Sequence, residues 1–199
     1  MFKKGVYMEY LKKLKYNSPV ILTFTLICLI VLGLGTITDG YTTAKLFCVY
    51  RSPLTDPLSY VRVFTHILGH SNFEHFFNNF LIILIVGPML EEKYGSKMLL
   101  ALIVITAFIT GIVQVIISEN ALLGASGIAF MLIILTSFTN VQDGKIPITM
   151  ILIATMYLGK EIYYGIVYSD NISQITHIIG GICGIIIGII ISKYYKRRN

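Results

Sequence analysis

The sequence predicts an all-α, polytopic membrane protein of six helices, and three observations predict it. Over 199 residues, 55% are hydrophobic and only 13% are charged, too apolar a balance for a soluble domain. Several runs approach the ~20 apolar residues that a bilayer-spanning helix needs. Lysine and arginine gather at the two ends, which by the positive-inside rule places both termini in the cytoplasm and requires an even number of spans. Charge in that arrangement suits anionic lipid headgroups, and no basic, aromatic-interleaved face is present to bind nucleic acid. Cys28, Cys48 and Cys183 are odd in number, so no disulfide framework or paired-cysteine metal site is indicated.

Residues 1–18, with Lys3, Lys4, Lys12, Lys13 and Lys15, read as a basic cytoplasmic or interfacial segment, residues 19–192 as the membrane domain, and residues 193–199 as a basic cytoplasmic tail. The first span is expected over Pro19–Thr36, and is a retained helix: its core is long, lacks a clear small-residue cleavage site and precedes further spans. Residues 37–72 hold Pro53, Pro57, aromatics and scattered charges; they are too interrupted to span and too apolar for a free linker, which predicts a long first loop lying along the membrane surface. The second span is expected over Phe73–Leu90, ending in a charged turn, Glu91-Glu92-Lys93-Tyr94-Gly95-Ser96. The third is expected over Lys97–Ile117 and the fourth over Gly124–Asn140. Asp143-Gly144 marks a turn before a fifth span over Ile146–Ile166, where Lys160 and Glu161 can snorkel. A sixth over Ile175–Ile191 ends at Lys193, Lys196, Arg197 and Arg198.

In this topology the second, fourth and sixth helices all descend from the outer face, and each carries polar residues near its outer end. At a rise of ~1.5 Å per residue, Ser126 lies ~21 Å above Asn140, His177 ~21 Å above Ile191 and His75 ~24 Å above Glu91, one level in a core of ~30 Å. Gly180, Gly184 and Gly188 follow His177 at i+3, i+7 and i+11, so a small-residue stripe shares its face and lets another helix approach. The small patch of Gly124, Ala125, Gly127 and Ala129 makes the fourth helix the natural partner. Contact would bring Ser126 within reach of His177, an imidazole able to take the hydroxyl proton during attack on a carbonyl and return it to a leaving amine. No carboxylate occupies the apolar parts of those helices, so the expected unit is a dyad, with Phe130 one turn below Ser126 packing on the ring. Attack creates an oxyanion; His75 and Asn79, spaced i, i+4 on one helix face, and the backbone amide of Ser126 are its expected donors.

These residues resemble the rhomboid family of intramembrane serine proteases, over most of the chain from Arg62 to Gly188. Gly124-Ala125-Ser126-Gly127 is similar to the family's G-x-S-G motif, His177-Ile-Ile-Gly180 with Gly184 to its histidine helix, and His75-Phe-Phe-Asn-Asn79 to its H-x-x-x-N oxyanion motif. Gly87-Pro-Met-Leu-Glu91 resembles the family's inner turn, and Val61-Arg62 its Trp-Arg pair, with Val in place of Trp. Phe130 stands where many members have Tyr. The resemblance implies a six-helix bundle that hydrolyses a peptide bond in or beside a transmembrane segment of another membrane protein, admits substrate laterally, and uses no metal or organic cofactor. Catalytic Ser126 and His177, oxyanion or substrate-binding His75, Asn79 and Gly124, and supporting Phe130, Gly127, Gly180, Gly184, Arg62 and Glu91 are the expected site residues. Arg62 and Glu91 are expected to tie loops, and Asn78 to be structural.

Other readings remain open at this level. His66, His70 and Glu74, spaced i, i+4, i+8, could hold a metal or simply form one face of an interfacial helix. An inactive relative that binds membrane-protein clients is the alternative function; a transporter would need buried charges that the fourth and sixth helices lack. Oligomeric state and substrate identity are not written in the sequence, and a bacterial plasma membrane, with the site towards the outer face, is the expected location.

Overall fold

A computed structural model describes residues 15–140 and 172–196, together with 148, 149, 151–153, 155, 156, 159 and 163. The basic segment over residues 1–14, most of the fifth span expected over 146–166, its flanking loops and the last three residues therefore lie outside the described residues. Among the described residues the elements are α1 (Pro19–Ile37), α2 (Tyr41–Leu46), α3 (Pro57–Thr65), a 3-10 turn (His66–Leu68), α4 (Phe73–Tyr94), α5 (Ser96–Ile117), α6 (Ser126–Ser137) with a 3-10 turn (Phe138–Asn140), and α7 (Ile172–Lys196).

Four of these carry stretches long and apolar enough to cross a membrane: Pro19–Ile37, Phe73–Tyr94, Ser96–Ile117 and Gln174–Lys193. Their outward faces stay apolar, with Leu26, Ile30, Leu81, Ile85, Leu100 and Ile105 all exposed. Such a surface is stable against lipid and not against water. The protein is an integral membrane protein.

The serine-bearing α6 differs from the other helices. Its 12 residues rise only ~18 Å, well short of the hydrocarbon thickness. Every residue from Gly127 to Leu135 is buried, so it is apolar all round because protein surrounds it on all sides. It packs against α4, α5 and α7. The helix starts at Ser126, two residues later than the span expected from Gly124, because Gly124 adopts φ +123°, a conformation open to glycine and not to a helix.

The C-terminal end of α4 also differs from expectation. Glu91–Tyr94 is not a turn: the helix continues through Pro88 to Tyr94 and ends at Gly95, φ +83°. Glu91 is buried, and its carboxylate accepts the Val20 and Ile21 backbone N–H groups, each at 3.0 Å, and the Ser96 hydroxyl at 2.7 Å. A negative charge at the unsatisfied N-terminal amides of α1 satisfies those donors and complements the helix dipole. What looked too polar for the bilayer is solvated by protein. Close by, Gly87 leaves room for Ile21, whose Cδ1 sits 2.6 Å from where a Cβ would be.

The first loop is built around buried polar groups. Asp56 caps α3 by accepting the Leu58 amide at 3.0 Å and forms an ion pair with Arg62. Arg62, only 2% exposed, also donates to the Ser52 hydroxyl at 3.0 Å and lies 4.4 Å from the Tyr50 ring centroid. Its guanidinium beside Asp56 holds that carboxyl below the usual carboxylate range.

Candidate active site

Close packing of α6 on α7 follows from glycine. A Cβ at Gly180 would lie 2.2 Å from the Gly127 carbonyl oxygen, and one at Gly184 2.7 Å from that of Met131. Gly188 meets the Phe138 ring in the same way, at 2.3 Å. The glycine stripe of α7 therefore lies directly on α6, with the backbone of one helix against the other. His177, half-buried on the same face of α7, stacks on Phe130 with ring centroids 4.5 Å apart and planes 6° from parallel. Phe130 is one helical turn from Ser126, so the imidazole is held beside the serine end of α6.

Ser126 is half-buried at the first position of α6, and no side chain caps that helix. The first amides of a helix have no intrahelical acceptor, and there they carry the positive end of its dipole. From α4, His75 and Asn79 approach the same end. A Cβ on Gly124 would lie 2.7 Å from His75 Nε2 and 3.6 Å from Asn79 Nδ2. Glycine at 124 is required twice over, by its positive φ and by this approach. Asn79 is 7% exposed, and its Nδ2 has no hydrogen-bond partner among the described residues. His75 Nδ1 lies 3.2 Å from the Ser71 hydroxyl, which leaves Nε2 facing Gly124. Asn78, by contrast, is exposed.

The loop that delivers Ser126 is pinned from the first loop and from α5. Leu122 exchanges two backbone hydrogen bonds with Val49, at 2.8 and 2.9 Å. Gly124 N–H donates to the His66 carbonyl at 2.9 Å, and Ala125 N–H to His70 Nε2 at 3.4 Å. Gln114, buried on α5, donates to the Asn120 carbonyl at 2.8 Å. A cavity of about 510 Å³ opens nearby, its wall including Leu123, Ser71, Asn72, Asp39 and Thr43.

His66, His70 and Glu74 do not form one helix face, because the 3-10 turn ends at Leu68 and α4 begins only at Phe73. Among the described residues no three His, Cys, Asp or Glu side chains converge as metal ligands would. His66 Nδ1 instead lies 3.0 Å from the Val63 carbonyl and its Nε2 3.2 Å from the Thr110 hydroxyl. Burial pushes the pKa of His66 down to about 4. His70 is likewise pushed down to about 4, by burial first and then by charge on His75. Both rings are neutral near pH 7. Sequence reasoning missed their part in holding the serine loop; two histidines four apart in an apolar stretch, with no acidic partner fixing them, were the available signal.

Residues 57–194 match the family model for the rhomboid domain. The chain belongs to the rhomboid family. The matched region begins at α3 and runs into the last turn of α7, so it contains His75, Asn79, Ser126 and His177, while α1 lies before it. The chain is also 31% identical over 141 residues to a protein of Haemophilus influenzae named rhomboid protease GlpG, covering 68% of this chain and 71% of that one. The fold is thus an all-α, polytopic rhomboid domain.

Proposed function

We propose that this rhomboid is a serine endopeptidase that cleaves membrane proteins within or beside a transmembrane segment. Its relative's name as a protease supports the class of reaction. The observation that carries the assignment is the buried Asn79 amide, which together with His75 Nε2 faces Gly124 at the uncapped start of α6. An unsatisfied buried donor is costly, of the order of 1–3 kcal/mol, and an acceptor that arrives only during reaction gives it a partner.

In the proposed mechanism neutral His177 takes the proton from Ser126 Oγ as that oxygen bonds to the scissile carbonyl carbon. The carbonyl electron pair moves onto oxygen, and the oxyanion is met by Asn79 Nδ2, His75 Nε2–H and the Ser126 amide. With Nε2 protonated, His75 Nδ1 accepts from Ser71. The intermediate collapses, the carbon–nitrogen bond breaks, and His177 returns the proton to the departing amine. Water, deprotonated by the same imidazole, then attacks the acyl carbon; the ester bond to Ser126 Oγ breaks, His177 returns the proton to Oγ and the acid product leaves. Phe130 holds the ring flat in position for both transfers, with no carboxylate required.

Substrates are membrane proteins whose helix unwinds locally, since a spanning helix hides its carbonyls in internal hydrogen bonds. Both termini are cytoplasmic and the site faces the outer side of a bacterial plasma membrane, as the charge distribution of the chain supports. No cofactor enters the reaction.

The test is labelling of the detergent-solubilised protein with a fluorescent fluorophosphonate. Wild type is expected to label, while Ser126→Ala and His177→Ala stay folded and unlabelled. Folded wild type that fails to label, beside an active rhomboid that does, would overturn the protease reading and favour client binding without catalysis.

A further inference from the structure

We propose that His70 is a positioning residue for this site, orienting the Gly124–Ala125 peptide, immediately before Ser126, through its Nε2 lone pair. The proposal rests on the serine-protease reading above. His70 sits in the loop between the 3-10 turn and α4 and is only 2% exposed. Its Nδ1 lies 3.3 Å from the Leu68 carbonyl oxygen. A carbonyl can only accept, so the ring proton belongs on Nδ1. In a neutral imidazole this leaves Nε2 as an acceptor, and there the Ala125 N–H arrives, at 3.4 Å.

Ala125 is the residue that turns the chain into α6, with φ −85° and ψ 9°. Its N–H belongs to the Gly124–Ala125 peptide, whose plane, through the φ and ψ of Ala125, sets the direction in which Ser126 leaves the loop. Gly124 on the other side is tied by its own N–H to the His66 carbonyl. Two successive amides of the serine loop therefore end on the two histidines of the first loop.

The ring is also fixed from its other sides. Phe76 stands edge-on at 5.5 Å, Phe80 lies at 5.7 Å, and His75 stands at 5.1 Å and 68°. His75 is the side chain whose Nε2 faces Gly124 from across the corner. One imidazole that meets neither substrate nor Ser126 thus touches both sides of the oxyanion corner. An acceptor confined by three aromatic rings and a carbonyl has one direction in which to receive an amide.

Two substitutions separate this role from simple core filling. His70→Phe keeps an aromatic ring in the nest and removes the acceptor, while His70→Gln places a carbonyl oxygen near the Nε2 position and removes the ring. Positioning through the acceptor predicts that His70→Phe loses ~10²-fold in the maximal fluorophosphonate inactivation rate at unchanged apparent affinity, the penalty for a misplacement of about 1 Å, and that His70→Gln largely restores it. Phe tolerated and Gln not would overturn the proposal, as would equal loss in both. Nitrogen NMR of histidine-labelled protein gives a readout independent of catalysis: Nε2 of His70 is expected to be unprotonated, and a proton found there would overturn the proposal. If wild type fails to label, the protease reading falls and the proposal falls with it, whereas labelled wild type with a protonated Nε2 removes only the proposal.

Discussion

Replacing Gly180 with alanine should move the histidine helix away from the serine. The new methyl would sit 2.2 Å from the Gly127 carbonyl oxygen and 2.9 Å from the Gly127 Cα and carbonyl carbon. All three are backbone atoms, so no side chain can rotate out of the way. Restoring a carbon–oxygen contact to ordinary van der Waals distance needs a separation of roughly 1 Å between α6 and α7, and overpacking of this kind costs ~1–3 kcal/mol. His177 is one turn from Gly180 on the same helix and moves with it. A displacement near 1 Å between the proposed nucleophile and base corresponds to ~10²-fold in rate. The assay is the fluorophosphonate inactivation rate, with thermal unfolding in the same detergent alongside. Gly33→Ala on α1 is the control, because nothing lies within 4 Å of its added Cβ, and it should leave labelling unchanged. A Gly180→Ala protein that labels at the wild-type rate would refute the inference that this glycine contact sets the spacing of the pair.

Glu91→Ala should destabilise the protein by ~2–4 kcal/mol, read as a lowered melting temperature, because one buried and two part-buried donors lose their acceptor; Glu91→Gln, which keeps one carbonyl oxygen for them, should cost less. Acid should destabilise the wild type in a defined window. His66 and His70 are held near pKa 4 when folded and return to their ordinary 6.5 when unfolded. Above pH 6.5 both states are neutral and stability is flat; between 6.5 and 4 only the unfolded state gains protons, so stability falls as pH falls, by up to ~3 kcal/mol for each histidine. Melting temperature followed from pH 7 to pH 4 checks this, and His70→Gln should remove its share of the slope.

Much of the candidate site was legible because polar side chains are rare in apolar spans. Ser126, His75, Asn79 and His177 stand out against runs of Ile, Leu and Phe, and a glycine every fourth residue marks a helix face without any knowledge of its partner. The extent of α4 past Glu91 and the surroundings of the 66–70 histidines differ from expectation for one reason: their environment is made by distant chain. A carboxylate in an apolar stretch reads as a turn until α1 is seen to bring its N-terminal amides to it, over a separation of 70 residues.

Composition and charge, then, determined the class: an all-α membrane protein, since only a helix satisfies its own backbone in lipid. Periodicity determined which residues share a face, because 3.6 residues per turn is a local property. Which helix lies at the centre was decided by packing alone. α6 is less apolar on average than α1, yet it is the one buried from Gly127 to Leu135. The convergence of His75 and Asn79 on Gly124, and the pinning of the serine loop by Val49, His66 and His70, likewise belong to tertiary structure. They join segments tens of residues apart through single hydrogen bonds and close contacts, which leave no period in the chain.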